Sequence, residues 1–242
     1  MNGTDLSTKD ILTLDFSALA LIVAISSAVF NSWMQRRTMW TSVRSQLTSI
    51  VQDLIAAQES FSELQTNTSG ASDSSGTRSI ALNHKLTSLA RQACELDRMA
   101  PKVAFDVELI AIANALGTSG DVESAETYHR RAIERAQNSY YQSINRSLFA
   151  GFLFERYRYE EGRDAYRQAL AVLPCDTDDN KAANVMTYRS WLASEARHFP
   201  VPNKQFDSCR AAATKLIESI KSDAMRMGWL NQFDAEWPAS PV

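Results

Sequence analysis

The chain has 242 residues, 45% of them hydrophobic and 22% charged, with a formal net charge of −3. That balance supplies no global basic field for nucleic acid or an acidic surface, and eight Gly and six Pro exclude collagen-like and low-complexity classes and argue against a turn-rich β-sandwich. Cys94, Cys175 and Cys209 are odd in number, far apart and without a Cys-x-x-Cys pair, which speaks against a disulfide framework or zinc ribbon and for reduced thiols.

Residues 16–35 carry no charge. At about 1.5 Å per residue such a helix spans roughly the 30 Å of a hydrocarbon core. Asp15 closes one end and Arg36 and Arg37 the other, with Arg44 a little beyond. The positive-inside rule then predicts a single-pass protein of the inner or plasma membrane. Residues 1–15 would form a short extracytoplasmic tail, and the C-terminal domain would be cytoplasmic. The acidic leader and the lack of a small-x-small site disfavour a cleaved signal peptide; a buried core helix is the other reading. Ala20, Ala24, Ala28 and Ser32 recur every four residues, a spacing that lets two membrane helices approach.

Trp40, Val43, Leu47, Ile50, Leu54, Ala57, Phe61 and Leu64 follow at alternating spacings of three and four, a strict heptad seam. Residues 36–64 are therefore expected as an amphipathic stalk helix. Its seam would pair in a parallel homodimer or pack on the chain's own downstream domain. Val51 and Ile55 widen the stripe, as packing against more than one neighbour requires. Residues 65–78, rich in Ser, Thr, Gly and Asp, read as a flexible linker.

Residues 79–230 read as paired amphipathic helices over 80–100, 103–116, 122–138, 140–156, 159–173, 179–197 and 204–227. They are separated by Pro101, Gly117 to Gly120, Pro174 and Pro200 to Pro202, with Asp121 placed to cap one of them. Residues 231–242 read as a tail. No segment alternates with period two long enough for a strand, so the expected class is all-α, built of antiparallel helix hairpins.

Overlaying the hairpins gives a period near 34 residues. Residues 149–174 place Phe149-Ala150, Leu153, Tyr159, Gly162, Tyr166, Ala169 and Pro174 as in a tetratricopeptide repeat, which this stretch resembles closely. The preceding hairpin repeats the pattern with Ile112-Ala113, Leu116, Gly120, Ala125 and Ala132; a third, with Leu192-Ala193, Phe206, Cys209 and Ala213, is degenerate. The resemblance implies a superhelix in which Gly162 sits where two helices touch. Leucine there would force them apart, whereas alanine, the better helix former, is expected to be neutral or mildly stabilising. It also implies a partner-binding groove lined by the first helix of each hairpin: Val107, Ile110 and Asn114, then Ile144, Ser147 and Gly151, then Thr187, Ser190 and Ser194. Asn114 matches an Asn that grips a partner's carboxylate in some family members. Ile144 and Leu148 replace the basic residues that would complete such a clamp. The alternative is a groove filled by the chain's own helix, from residues 80–98 or 211–230.

No catalytic, cofactor or metal motif is present: the three His are isolated, and there is no Gly-rich phosphate loop or nucleophile elbow. Residues 128–167 hold eight Arg and six of the seven Tyr, a composition that can grip phosphates and stack on bases; interleaved acids and helix-surface pairing disfavour nucleic acid. The expected function is a non-enzymatic, membrane-anchored scaffold or adaptor that binds a protein partner as a peptide or helix. The alternatives are a structural subunit of a larger membrane complex with a self-filled domain and, third, an RNA- or anionic-lipid-binding helical protein.

Overall fold

The computed structural model describes the backbone of residues 8–67 and 74–237 and the side chains of residues 24–64 and 76–237. Among the described residues there are nine α-helices and no strand: α1 (Thr8–Asn67), α2 (Ser74–Met99), α3 (Asp106–Thr118), α4 (Val122–Arg135), α5 (Ser139–Glu155), α6 (Tyr159–Val172), α7 (Asp178–His198), α8 (Lys204–Glu218) and α9 (Asp223–Glu236). Five of them start on side-chain caps. Asp121, Asn138, Thr177, Asn203 and Ser222 each accept from the backbone N–H three residues on, a bond worth about 1 kcal/mol at a helix start.

The helices pair as consecutive hairpins: α1 with α2, α3 with α4, α5 with α6 and α7 with α8. Each first helix also touches the first helix of the next hairpin, so the array is repeat-like. One apolar cluster unites α1 to α4 and a second unites α4 to α9, with Phe152 packed against both.

The heptad seam is used inside this array. Val43, Leu47, Leu54 and Ala57 are buried, and Leu47, Leu54 and Ala57 share a cluster with Leu86, Ala90 and Ala93 of α2 and Leu109 and Ile112 of α3. Ile50 and Phe61 are partly buried against the same cluster, Leu64 is half-buried, and Trp40 is exposed. Residues 43–64 are thus the first helix of an extra hairpin rather than a separate stalk, and this part of the seam is not free to pair with a second copy. The flanks of the expected linker at 65–78 are helical as well, since α1 reaches Asn67 and α2 starts at Ser74; residues 68–73 lie outside the described residues.

The expected membrane anchor does not stand. Among the described residues no helix is long and apolar enough to cross a membrane. Within the described part of the expected span, residues 24–35, Ser26, Ser27, Asn31, Ser32 and Gln35 interrupt the apolar positions. Residues 16–23 of the expected span, Ala20 among them, lie outside the residues whose side chains are described. Ala24, Ala28 and Ser32 are exposed.

The helix expected over 122–138 ends at Arg135, the one expected over 103–116 runs from Asp106 to Thr118, and the C-terminal part differs more. The helix expected over 204–227 is broken between Glu218 and Asp223, because Asp178 of α7 accepts from the amides of Lys221 (3.0 Å) and Ser222 (2.9 Å) and Ser222 caps α9. The expected tail at 231–242 is helical to Glu236 and buries Phe233.

Gly162 is a contact point, but a tighter one than the repeat pattern suggests. A Cβ there would stand 2.5 and 2.8 Å from the buried Phe154 ring and 3.2 Å from the Ala150 carbonyl oxygen. The expectation that alanine is neutral is therefore overturned, because the space for a methyl group is filled.

Buried polar pairs tie the hairpins together. Asp97 of α2 accepts two bonds from Arg131 of α4 (2.6 and 3.0 Å) and one from the Tyr128 hydroxyl (3.0 Å). Glu108 of α3 pairs with Arg44 of α1 and accepts from the Phe105 amide at 2.8 Å. Asn145 of α5 donates to Asp106 of α3, and Arg163 of α6 makes a two-pronged pair with Glu195 of α7 at 2.7 and 2.8 Å. Burial alone would raise the Glu195 carboxyl. The hydrogen bonds from Arg163, Asn203 and Trp191 outweigh it and hold the group below the usual carboxylate range.

Candidate interaction face

The face expected to bind a partner is built from α3, α5 and α7, which lie side by side because each first helix packs on the next. On α3, Val107 is 63% exposed and Asn114 is exposed, while Ile110 is only 7% exposed and belongs to the first core cluster. Ile110 is therefore not a groove floor. It lies in the cluster that also holds Leu47, Leu54 and Ala57 of α1. On α5, Ile144 is exposed and Ser147 and Gly151 are half-buried; on α7, Thr187 is buried, Ser190 is exposed and Ser194 is half-buried. The Ser194 hydroxyl is engaged with the Tyr166 hydroxyl at 3.0 Å, and a Cβ on Gly151 would meet that same hydroxyl at 3.7 Å.

The three helices join into one surface at two places. Between α3 and α5 a cavity of about 370 Å³ is lined by Asn114, Thr118, Leu148, Phe152, Glu155 and Arg156 among others. Arg156 donates to the Gly117 carbonyl oxygen and stacks over Phe152 at 5.5 Å. Between α5 and α7, Glu155 pairs with Arg197 at 2.5 Å. The surface thus has a polar end at Glu155, Arg156 and Arg197.

Its apolar end holds Ile144, expected on this face from the sequence, and Tyr140, which was not. Tyr140, Ile144 and Leu148 are all exposed and recur every four residues along α5, and Tyr140 and Tyr141 meet edge to face at 5.6 Å. The signal was present as an i, i+4, i+8 stripe, but Tyr140 and Tyr141 read instead as part of an Arg–Tyr segment. All eight Arg of that segment have partners within the chain. Arg130 pairs with Glu126, Arg131 with Asp97, Arg158 with Glu126 and Glu161, Arg163 with Glu160 and Glu195, and Arg167 with Asp164. Arg135 donates to backbone carbonyls of Pro101 and Ala104, Arg146 to Gln168, and Arg156 to Gly117. A phosphate would have to displace these bonds.

No known protein family, curated protein or solved structure matches the chain.

The titratable groups near the face are structural. His129 of α4 is fully buried against Phe149 and Phe152, with ring centroids 5.6 and 4.9 Å away, and both its nitrogens lack a hydrogen-bond partner. Burial pushes it down to about 4, against the opposing pull of Glu126. Burial likewise raises Tyr166 to about 12. Among the described residues no group of three or more His, Cys, Asp and Glu is placed to hold a metal ion. The exposed thiol, Cys175, has Asn184 as its hydrogen-bond donor at 3.1 Å.

Proposed function

We propose that the chain is an adaptor of the tetratricopeptide-like kind, whose first-helix face binds a segment of a protein partner. The observation that carries this reading is the uncovered stripe of Tyr140, Ile144 and Leu148 on α5, flanked by Val107 and Asn114 on α3 and ending at Glu155 and Arg156. Contiguous apolar side chains left in water at the surface of a packed domain are what a partner helix or extended segment covers. The polar end supplies charge-assisted bonds that fix the direction of the bound segment.

The test is a photo-reactive side chain at Leu148, compared with the double change Ile144→Glu and Leu148→Glu in the full chain. Both side chains are exposed, so circular dichroism of the double variant should match the parent. The crosslink and co-purification of the captured partner should be lost. A folded double variant that retains the same partner would remove this face from the reading.

A second reading, a structural subunit of a larger assembly, is favoured by the exposed Ile25, Val29, Phe30 and Trp33 on the first part of α1. It predicts a stoichiometric complex that Val29→Glu with Trp33→Glu would take apart, whereas the adaptor reading predicts a chain that purifies by itself.

A further inference from the structure

A different kind of groove lies on the side of the second helices. Between α4 and α6 it is a cavity of about 410 Å³, floored by Phe149 and edged by Glu134, Glu161 and Asp164. Arg146 on the floor donates to Gln168 on the wall at 2.5 Å.

One hairpin later, between α6 and α8, the same positions recur at a constant offset within each helix. Ile133 becomes Leu170, Phe149 becomes Trp191, and Ala165 becomes Cys209. The acidic positions lose their charge in the shift. Glu134 gives way to Ala171, Glu161 to Gln205 and Asp164 to Ser208. The Arg146 and Gln168 pair is replaced by Tyr188 and Ala212, so the bond between floor and wall is gone. This second groove, about 450 Å³, runs on into a cavity of about 360 Å³ that shares Leu170, Tyr188 and Ala212 and ends at Cys175, Lys215 and Ser219. From Gln205 to Ser219 the trough follows α8 for about 21 Å.

Its charge is one-sided. Among the described residues no Asp or Glu lines either cavity. Arg167 at the far end is spent on Asp164. Lys215 at the near end is exposed, and among the described residues its ammonium has no hydrogen bond or ion pair. An open trough with an apolar stretch at Leu170, Tyr188, Ala212 and Leu216, and with Lys215 beside it as a cation outside any ion pair, complements a chain with a single anionic end. The two volumes are those of small-molecule sites.

We propose that the α6–α8 trough binds a long-chain aliphatic carboxylate, with its head on Lys215 and its chain over Leu170, Tyr188 and Ala212 toward Trp191. This site is separate from the α3–α5–α7 face and does not depend on it.

The experiment is calorimetric titration of the full chain with laurate below its micelle concentration, with dodecanol as the uncharged control. One saturable laurate site is expected. Lys215→Gln should weaken laurate about threefold to fivefold, the scale of one surface ion pair, and leave dodecanol unchanged. Ala212→Phe, which fills the trough, should abolish binding of both. Should that variant fail to fold, Ala171→Phe places the same obstruction on an exposed position of the opposite wall. The proposal is overturned if laurate does not saturate, if Lys215→Gln leaves it unchanged, or if an obstructed but folded variant still binds. Capture of a protein segment by a photo-reactive side chain at position 212, without laurate binding, would assign the trough to a macromolecule and also overturn it.

Discussion

Replacing Gly162 with alanine sets helix propensity against packing, and the structure decides the sign. The added methyl would stand 2.5 Å from Cδ2 and 2.8 Å from Cε2 of Phe154, and 3.2 Å from the Ala150 carbonyl oxygen. Carbon atoms prefer separations of about 3.5–4.0 Å. The ring has nowhere to go. Phe154 is fully buried and ringed by Tyr159, Tyr166 and His198, with centroids at 5.7, 6.0 and 6.1 Å. Either α6 retreats from α5 or the Phe154 side chain leaves its rotamer. Overpacking of this kind costs about 1–3 kcal/mol, and the propensity gain of alanine over glycine returns at most about 1 kcal/mol. A net loss of about 1–2 kcal/mol lowers Tm by roughly 2–8 °C for a chain of this size.

Thermal and urea denaturation followed by circular dichroism read the change directly. The decisive control is the same alanine in a Phe154→Leu background. There the ring atoms are absent, and alanine should cost distinctly less than in the parent. An unchanged or raised Tm for Gly162→Ala, or an equal penalty in both backgrounds, would refute the contact as the cause.

His129 is neutral when folded, because burial lowers it to about 4, while an unfolded chain takes up the proton near 6.5. Its contribution is therefore complete above about pH 6.5 and is lost as pH falls toward 4, by roughly 2–3 kcal/mol; urea midpoints for His129→Phe should fall less steeply over that window than those of the parent. Arg163→Met leaves the Glu195 carboxylate buried without its cation, with an expected loss of about 3–5 kcal/mol in urea unfolding, and adding Glu195→Leu should recover most of it. A chain beginning at residue 79 loses Leu47 and Leu54 from the first core cluster and should melt without cooperativity, whereas one beginning at residue 36 should melt as the parent does; Leu54→Ala in the full chain should cost about 2–5 kcal/mol by the same measurement. Tyr157 holds a φ of 61° after the end of α5, so Tyr157→Gly should stabilise the domain by about 1 kcal/mol, visible as a higher Tm.

The hairpins of residues 106–218 were legible because their signals are local. Asp121 caps the helix that starts right after it, as expected, and Pro174 and Pro202 stand outside helices where a missing N–H does no harm; Asn138, read as the last residue of one helix, caps the next instead. The first hairpin was not legible, although its seam was. A spacing of three and four along Val43, Leu47, Ile50 and Leu54 reports only that one face of the helix must be covered. It is silent on whether a second chain or α2 does the covering. The answer lies in α2, where Ala90 and Ala93 keep the opposing surface low enough for α1 to approach closely. Small residues in an amphipathic stripe look weak as a hydrophobic signal, so the partner helix was the harder of the two to read.

The same dependence on a neighbour explains the interaction face. Ile110 and Ile144 are both isoleucines on first helices, and the repeat phase treats them alike. One is buried and the other exposed because α1 lies beside α3, while no described helix covers the apolar end of α5. Exposure at such a site is a property of the hairpin that precedes it. A repeat reading that begins one hairpin too late therefore misassigns the first groove residue. The third hairpin shows the converse. There the departures from the pattern, Tyr188 for Arg146 and Ala212 for Gln168, look like decay when read along the chain. Read across the gap between α6 and α8, they fall together: one replaces a charged side chain by a phenol and the other removes an amide. Degeneracy spread at random would not strip one groove of its acids while leaving Lys215 at its mouth.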